Sequence, residues 1–252
     1  MNRTVSAPSA RSARRRSLGA ANPRILEALK RLAGETRRGR YAAAPVHLGP
    51  IENRETPFQV LVSCLISTRT RDQQTTRISR GLFAVAPTAE ALASVSRARL
   101  TRLLYGAGFY RQKARQLRAL ARLLVERGGV PRGRDGLLAL PGIGPKCANI
   151  VLASCFGAPA IAVDTHVHRI SNRLGWVRTR APQQTELRLT PKVPRRWRRR
   201  VNLLLVAHGQ TVCKPLGPRC SGCVLLDLCP RRGLPKMTSV AKVSLSFRTR
   251  RA

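Results

Sequence analysis

Apolar residues recur at helical spacing along most of the chain. Residues 24–212 repeatedly place them three and four positions apart, whereas the alternation of a half-buried strand never persists. The first apolar face consists of Ile25, Leu26, Leu29 and Leu32. We expect Gly34 to end this helix, because glycine commonly terminates helices. The pattern predicts an all-α fold of short helices joined by glycine- and proline-bearing turns.

Several helix boundaries are also visible in the sequence. The segment 56–59, Thr-Pro-Phe-Gln, predicts a helix start, since threonine caps, proline suits the first turn and glutamine completes a capping box. Further helices are predicted over 72–83, after Thr88, after Ser96, and over 111–127 before two glycines. Pro191 and Pro194 predict that residues 185–200 are irregular.

The charge balance indicates a polyanionic partner. The chain has 48 Lys and Arg against 11 Asp and Glu, a formal net charge of +37. Such a surplus favours DNA or RNA as the partner, with an anionic membrane as the second candidate. Aromatic residues make up only 4%, which argues against a single-strand binder built on stacked rings. No apolar run reaches membrane length, so we expect no membrane segment.

Both ends of the chain are basic and lack periodic apolar positions. We predict disordered tails over 1–22 and 231–252 that contact phosphates without sequence specificity. The first 24 residues are rich in Arg, Ser and Ala and contain no acid, so they also resemble a mitochondrial transit peptide. Because Arg is abundant throughout, we prefer a basic tail on a cytoplasmic, nucleoid-associated prokaryotic protein.

Residues 136–157 predict two helices joined by a tight turn. Gly142 and Gly144 allow unusual backbone dihedrals and bring N–H groups close to a partner. With the positive end of the following helix, these donors form an anion site. Such a helix-hairpin-helix holds a DNA phosphate without reading sequence. The same turn is also an ordinary connector between helices.

Lys146 falls in the first turn of the second hairpin helix. The helix N-terminus and the surrounding basic residues should lower its pKa toward the free amine that nucleophilic attack requires. A lysine amine can displace a base from C1′ of the sugar and form a Schiff base. From its position alone, Lys146 serves equally well as a phosphate contact.

Asp164 is the candidate for the second catalytic group. The chain has only four aspartates, and this one follows the apolar segment 160–163 and opens the segment Thr-His-Val-His-Arg. Aspartate is a good N-cap. A carboxylate at the mouth of a cationic cleft is also suited to stabilise positive charge or to transfer protons. We expect Asp164 to fill both roles.

Four of the seven cysteines occur within residues 213–229, in the spacing C-x6-C-x2-C-x5-C. One short loop can wrap four thiolates around a tetrahedral centre, which admits zinc or a [4Fe–4S] cluster. This usage indicates a reducing compartment rather than a disulfide framework. Lys214 and Arg219 lie within the loop and predict a basic surface for the nucleic-acid backbone.

The segment 140–149, the segment 163–167 (Val-Asp-Thr-His-Val) and the cysteine loop together resemble endonuclease III, a family of the helix-hairpin-helix glycosylase superfamily. The three motifs occur in the family's order, over about residues 24–230. The resemblance implies a bifunctional DNA glycosylase and AP lyase that removes oxidised pyrimidines from duplex DNA and cleaves the abasic site by β-elimination. It implies Lys146 as the Schiff-base nucleophile and Asp164 as the second catalytic residue. It also implies a [4Fe–4S] cluster on Cys213, Cys220, Cys223 and Cys229.

The resemblance further implies two helical domains on either side of a DNA-binding cleft. One is a helical barrel over 48–163 that contains the hairpin, and the other combines 23–47 with 164–230. The damaged nucleotide is flipped out into the cleft. The residues expected to contact DNA are Gly142, Gly144, Arg69, Phe109, His166, Lys214 and Arg219.

Four positions depart from the family's pattern. Arg69 stands where many bacterial members have Gln, which bears on the preferred opposite base. Phe109 matches a wedging Leu, and it is either an aromatic wedge or a core residue. Cys147 replaces the usual Thr, and Pro145 replaces the usual Arg and removes an N–H that would face phosphate. We expect weaker anchoring there rather than loss of the chemistry.

Two other functions fit parts of the sequence. A monofunctional mismatch or damage glycosylase usually lacks the lysine and has an extra C-terminal domain, whereas Lys146 is present and about 23 residues follow the cysteine loop. A non-catalytic iron–sulfur DNA-binding protein requires both Lys146 and Asp164 to be bystanders. The preferred interpretation is a monomer acting on double-stranded DNA with damaged bases or abasic sites.

Overall fold

The computed structural model describes residues 22–42, 44 and 55–235. Within these ranges the chain is helical and contains no strand, which confirms the predicted fold class. Most of both predicted tails, and residues 45–54 of the predicted domain junction, lie outside the described residues. The helices are α1 (Pro23–Arg37), α2 (Pro57–Ser67), α3 (Asp72–Val85), α4 (Ala89–Ser94), α5 (Arg97–Leu103), α6 (Tyr110–Glu126), α7 (Arg134–Leu138), α8 (Pro145–Cys155), α9 (Thr165–Arg173), α10 (Pro182–Leu189) and α11 (Arg198–Thr211).

Side-chain caps set where several helices begin. The Thr56 hydroxyl accepts the Gln59 N–H at 3.3 Å, and the Gln59 side chain accepts the Thr56 N–H at 2.9 Å, so the predicted capping box is confirmed. Thr88 and Ser96 cap α4 and α5 in the predicted way. Each cap satisfies a backbone N–H that has no partner inside its helix.

The predicted end of α1 is wrong, because the helix continues through Gly34 to Arg37. A glycine inside a helix costs only about 1 kcal/mol. Burying a leucine side chain such as that of Leu32 contributes roughly 1.5 to 3 kcal/mol, and Leu32 is fully buried. Buried Glu35 then holds the chain after the helix through an ion pair with Arg40 at 3.2 Å.

Buried apolar side chains form two hydrophobic clusters. The first cluster extends from Phe58 to Leu152 and is built from α2 to α8. The second cluster combines α1 with residues between Ile161 and Leu225. In the first, α2 packs on α3 and α8, whereas in the second, α1 and α9 pack on α11. The hairpin helix α8 and the following helix α9 therefore belong to different clusters.

Polar contacts join the two clusters beside the hairpin. Arg134 of α7 forms an ion pair with Glu186 of α10 at 3.0 Å. The buried Asn149 amide of α8 donates to the Ile161 carbonyl at 2.9 Å and also accepts from Arg134. These bonds fix the start of α8 relative to the segment that leads into α9.

The predicted irregularity over 185–200 is confirmed only around its two prolines. Residues 185–189 are helical, and helix α11 already begins at Arg198. Two short 3-10 turns, Thr190–Lys192 and Arg195–Trp197, lie between them. Proline permits a first turn but removes the N–H that a longer helix needs, so the break stays local.

Candidate active site and nucleic-acid interface

The hairpin turn between α7 and α8 contains the two glycines that the sequence predicts as part of an anion site. Gly142 adopts φ +79°, and a Cβ there would lie 3.2 Å from Leu65 and Gln116, so glycine is required. Gly144 is the N-cap of α8 with an ordinary φ of −103°, and an added Cβ would meet no atom within 4 Å. Sequence reasoning gave both glycines unusual dihedrals, but only Gly142 has one. The space beside Gly144 is open to a partner.

Lys146 lies in the first turn of α8, behind Pro145 at the first helical position. Its Nζ is 3.4 Å from the Ser67 hydroxyl at the end of α2. The carboxylates of Asp164 and Asp72 are close enough to act on its charge. Lys146 thus stands where α2, α8 and the start of α9 converge.

The expected lowering of the Lys146 pKa is wrong in direction. Burial does lower the pKa, but the electrostatic effects of the Cys64 and Cys147 thiols and of the Asp164 and Asp72 carboxylates together raise it, and the net pKa is raised. Sequence reasoning counted the helix N-terminus and the abundant arginines and omitted these thiols and carboxylates. The amine is therefore protonated in the free protein at neutral pH and must release a proton before it can attack.

Asp164 is the N-cap of α9, as predicted. Its Oδ1 accepts the Val167 N–H at 2.8 Å. The backbone bond occupies one carboxylate oxygen, which leaves the other oxygen free of capping. The side chain is half-buried and acts electrostatically on both Lys146 and His166. The structure thus brings the two predicted catalytic residues into one site from opposite hydrophobic clusters.

His166 connects this site to the cysteine loop through Arg169. Burial is the main cause that lowers the pKa of His166, against the opposing charge of Asp164. Arg169 places Nη2 3.2 Å from His166 Nδ1 and donates to the Cys213 carbonyl at 2.9 Å. Sequence reasoning missed Arg169 because an arginine in an Arg-rich chain carries no local signal.

Ser67, Asp72 and Gln210 are the other neighbours of the site that sequence reasoning missed. The Gln210 amide of α11 donates to Asp72 Oδ2, so the first residue of α3 is held by the second cluster. Asp72 acts electrostatically on both Lys146 and His166. The scarcity of aspartates was the signal for Asp72, but its position suggested only a helix start.

Arg69 and Phe109 form a pair outside the helices. The Arg69 guanidinium carbon lies 5.3 Å from the centre of the Phe109 ring. Both residues have positive φ, 51° and 57°, which costs about 1 to 2 kcal/mol for each non-glycine residue. Phe109 is 58% exposed, so the interpretation as a core residue is wrong. The backbones of both residues are strained, and their side chains are exposed and lie next to each other. Both side chains are therefore accessible to a duplex.

Two buried thiols flank the lysine. A hydrogen bond joins Cys64 of α2 to Cys147 of α8, and this contact is the main cause that lowers the pKa of Cys147 to about 7 and raises that of Cys64. The nearby ammonium of Lys146 also favours the Cys147 thiolate. The replacement of the family's usual Thr by Cys147 therefore adds an ionisable neighbour to the nucleophile.

The four cysteines of the loop line one cavity, together with Arg173 and His208. Arg173 donates to Cys213 Sγ at 3.4 Å, and the Leu225 N–H donates to Cys223 Sγ at 3.4 Å. Such donors suit thiolates that ligate a metal centre. No set of three or more His, Cys, Asp or Glu among the described residues is arranged to hold a metal ion.

The two basic residues of the cysteine loop are held through their backbones. Lys214 is half-buried, and its carbonyl accepts from Arg173 at 2.7 Å. Arg219 is exposed, and its N–H bonds to the Val212 carbonyl at 3.0 Å. Arg169 connects this loop to the site around Lys146 through its contacts with Cys213 and His166.

None of the helices in the described part of the chain has the length and apolar character of a membrane span.

Comparison with known proteins gives consistent matches. A model of the HhH-GPD superfamily of base excision DNA repair proteins matches residues 62–195. Endonuclease III of Thermotoga maritima is 46% identical over 190 residues, which cover 73% of this chain and 89% of that protein. Endonuclease III-like protein 1 of Mus musculus is 40% identical over 178 residues, or 69% of this chain and 59% of that protein. The solved structure of a trapped endonuclease III–DNA covalent intermediate matches with a TM-score of 0.73 at 30% identity, over 84% of this chain and 97% of that one.

Proposed function

Since the chain belongs to the endonuclease III family and is a bifunctional DNA glycosylase and AP lyase of base excision repair, we propose that it excises oxidised pyrimidines with Lys146 as the nucleophile and Asp164 as the second catalytic residue. The observation that carries this assignment is the convergence of Lys146, Asp164 and Ser67 at the start of the hairpin helix. A monofunctional glycosylase forms no Schiff base and therefore does not require a lysine at this position.

In the proposed reaction, Lys146 Nζ first loses a proton and then attacks C1′ of the flipped nucleotide. The bond from C1′ to the base breaks, and its electron pair leaves with the base, which takes up a proton. The attached nitrogen then loses a proton, and its lone pair forms the C=N bond of a Schiff base as the C1′–O4′ bond breaks and O4′ takes up a proton. Loss of a proton from C2′ expels the 3′ phosphate, which completes the β-elimination.

Asp164 suits the charged stages of this reaction. Its capping oxygen fixes the carboxylate on α9, and the other oxygen is available to stabilise the positive charge that develops on the sugar or to move a proton. Because the pKa of Lys146 is raised, a proton acceptor is needed before attack. Asp164 and Asp72 are the carboxylates that face the amine.

The surroundings of the pair fit a damaged duplex. The open turn at Gly144 offers backbone N–H groups to a phosphate on the side of Lys146. Arg69 and Phe109 are placed to occupy the space of a flipped nucleotide, with Phe109 as the wedge. His166 lines the same site, while Lys214 and Arg219 supply charge for the backbone further along the duplex.

We prefer a [4Fe–4S] cluster to a single zinc ion in the cysteine loop because the chain belongs to the endonuclease III family. The four thiols line one cavity, and N–H donors are directed at two of the sulfur atoms. The ligands would be Cys213, Cys220, Cys223 and Cys229. When bound, the cluster cross-links the loop, which fixes the basic surface that follows Cys213.

The two hydrophobic clusters support a two-domain organisation close to the predicted one. Ile161 and Val163 pack in the second cluster, which favours a domain boundary just before residue 161 rather than after residue 163. The proposal includes a monomer acting on double-stranded DNA in the prokaryotic cytoplasm, with the charge of +37 favouring association with the nucleoid.

Borohydride trapping tests the catalytic assignment. The protein is incubated with duplex DNA containing either thymine glycol or an abasic site, and the Schiff base is reduced to a covalent adduct. We expect an adduct in the wild type, none in Lys146→Ala, and full trapping in Lys30→Ala, an exposed lysine of α1. Absence of an adduct with both DNAs, or normal trapping in Lys146→Ala, would contradict the proposal.

Metal analysis tests the cluster independently of activity. We expect about four iron and four sulfide per chain, with a visible absorbance band, and loss of both in Cys220→Ser. Cys155→Ser is the matched control, because Cys155 lies at the end of α8, outside the loop. Stoichiometric zinc would rule the cluster out, and equal iron in both variants would rule out Cys220 as its ligand.

A further inference from the structure

Lys113 is a buried lysine with an unusual set of partners. It lies on α6 and is only 3% exposed. Its ammonium donates to the Ile66 carbonyl at 2.6 Å, the Thr68 carbonyl at 2.6 Å and the Thr70 hydroxyl at 2.9 Å. Within the described part of the chain it forms no ion pair with a carboxylate. Burial lowers its pKa to about 8, and three oxygen acceptors favour the ammonium form at neutral pH.

The three acceptors belong to the segment that leaves α2. Ile66 is in the last turn of that helix and Thr68 is its C-cap, where carbonyls lack partners within the helix. The cation therefore satisfies carbonyls at the negative end of the helix dipole. The Thr70 hydroxyl in turn accepts the Gly108 N–H at 3.1 Å. One ammonium thus joins the end of α2 to the loop that precedes α6.

The Lys113 ammonium binds the residues on both sides of Arg69, because Thr68 and Thr70 are two of its three partners. Arg69 has positive φ, and so does Phe109, against which its guanidinium packs. A Cβ on Gly108 would lie 2.2 Å from the Arg69 carbonyl, so the two loops touch backbone to backbone. Strained conformations of this kind persist only where the surroundings hold them. Lys113 provides three of the hydrogen bonds that hold this strained segment.

Ser67 lies between two of these acceptors, Ile66 and Thr68, but its side chain has a support of its own. Its hydroxyl donates to the Cys64 carbonyl of its own helix at 2.8 Å, and it is the Ser67 side chain that faces Lys146. The side-chain contact between α2 and Lys146 therefore keeps a hydrogen bond within the helix when Lys113 is replaced. The pair formed by Arg69 and Phe109 depends on the two loops that Lys113 joins.

We propose that Lys113 is a positioning residue for lesion recognition, which holds Arg69 and Phe109 in the conformation that enters the duplex. This proposal rests on the proposed function, in which the two side chains fill the space of the flipped nucleotide. Lys113 touches neither the substrate nor the reacting atoms. Its loss should weaken the recognition of a damaged duplex and leave the reaction of Lys146 largely intact.

The test compares Lys113→Met with Lys30→Met, which removes an exposed lysine of α1. On a duplex containing thymine glycol we expect KM to rise about tenfold in Lys113→Met, with kcat within about threefold of the wild type. Lys30→Met should match the wild type in both. An unchanged KM in Lys113→Met, or a fall in kcat as large as the rise in KM, would overturn the proposal.

A second readout follows the duplex directly. With 2-aminopurine opposite the lesion, insertion by the wild type should raise its fluorescence, and Lys113→Met at saturating concentration should give less than about half of that rise. Borohydride trapping at saturating abasic DNA should remain near the wild-type level. Failure of trapping in the wild type would refute the proposed function. Normal trapping with a full fluorescence rise in Lys113→Met would refute only the role of Lys113.

If Lys113→Met does not fold, Thr70→Val tests the positioning role of Lys113 instead. This variant keeps the lysine and its two carbonyl partners, and removes only the oxygen shared by Lys113 and Gly108. We expect KM to rise about threefold with kcat unchanged. A wild-type KM together with a wild-type fluorescence rise in Thr70→Val would count against the proposal.

Discussion

Asp164 has a structural and a chemical role that different substitutions can separate. Asp164→Asn and Asp164→Ser keep an oxygen that accepts the Val167 N–H, whereas Asp164→Ala leaves that N–H without its cap. All three variants remove the carboxylate. Stability should therefore follow the cap, and activity should follow the charge.

The structure sets the size of both effects. A lost N-cap costs about 1 kcal/mol, which lowers the melting temperature of a chain of this size by roughly 2 to 4 °C. We expect this loss in Asp164→Ala and a change of only a few tenths of a kcal/mol in the other two variants. Removal of a group that transfers protons or stabilises charge should slow base excision by about 100-fold or more in all three.

The Lys146 pKa provides an internal check. Asp164 contributes to raising that pKa, so Asp164→Asn should lower it and increase the fraction of free amine at a given pH. If this were the only effect of the carboxylate, Asp164→Asn would be faster than the wild type on the acid side of its pH profile. We expect it to be slower at every pH between about 6 and 9, because the charge is needed in the transition state.

The measurements are thermal unfolding by circular dichroism and single-turnover excision of thymine glycol across this pH range. The dual role would be refuted if Asp164→Asn were as unstable as Asp164→Ala. It would equally be refuted if Asp164→Asn kept wild-type excision.

Three further predictions concern the hairpin, the thiols and the duplex backbone. Gly142→Ala should lose about 1 to 2 kcal/mol of stability in urea unfolding because of its positive φ, whereas Gly144→Ala should keep its stability and bind abasic DNA more weakly. Equal stabilities would contradict this contrast. Cys147→Thr removes a thiol with a pKa of about 7 whose thiolate raises the pKa of Lys146, so the acid limb of the single-turnover lyase profile should move to lower pH. An acid limb that does not move would show that the thiolate does not act on the amine. Arg219→Ala should reduce the slope of log affinity against log salt by about one, and an unchanged slope would remove Arg219 from the interface.

Structural features that depend on a few neighbouring residues were predictable from the sequence. The capping box at Thr56 and the cap at Asp164 depend on side chains that bond to backbone three residues away. The helical class follows from the spacing of apolar residues. The hairpin turn likewise depends on a local requirement, the positive φ at Gly142.

What the sequence did not reveal depends on residues brought together by packing. The extent of α1 was missed because burial of its apolar face outweighs the weak helix propensity of Gly34. The direction of the Lys146 pKa was missed because Cys64 and Asp72 approach from helices that precede it by more than seventy residues. Lys113 could not be distinguished from a surface lysine, since its acceptors are backbone carbonyls of another helix.

The two proposed catalytic residues, Lys146 and Asp164, lie at the starts of helices that belong to different hydrophobic clusters. Either cluster could keep its own core and still contribute nothing to catalysis, because the site exists only at the seam between them. The reaction rate therefore depends on how the two clusters pack against each other, and on heating it should fall before the helical content does. The ion pair of Arg134 with Glu186 and the hydrogen bond from the Asn149 amide to the Ile161 carbonyl join the two clusters, so we expect their loss to lower turnover.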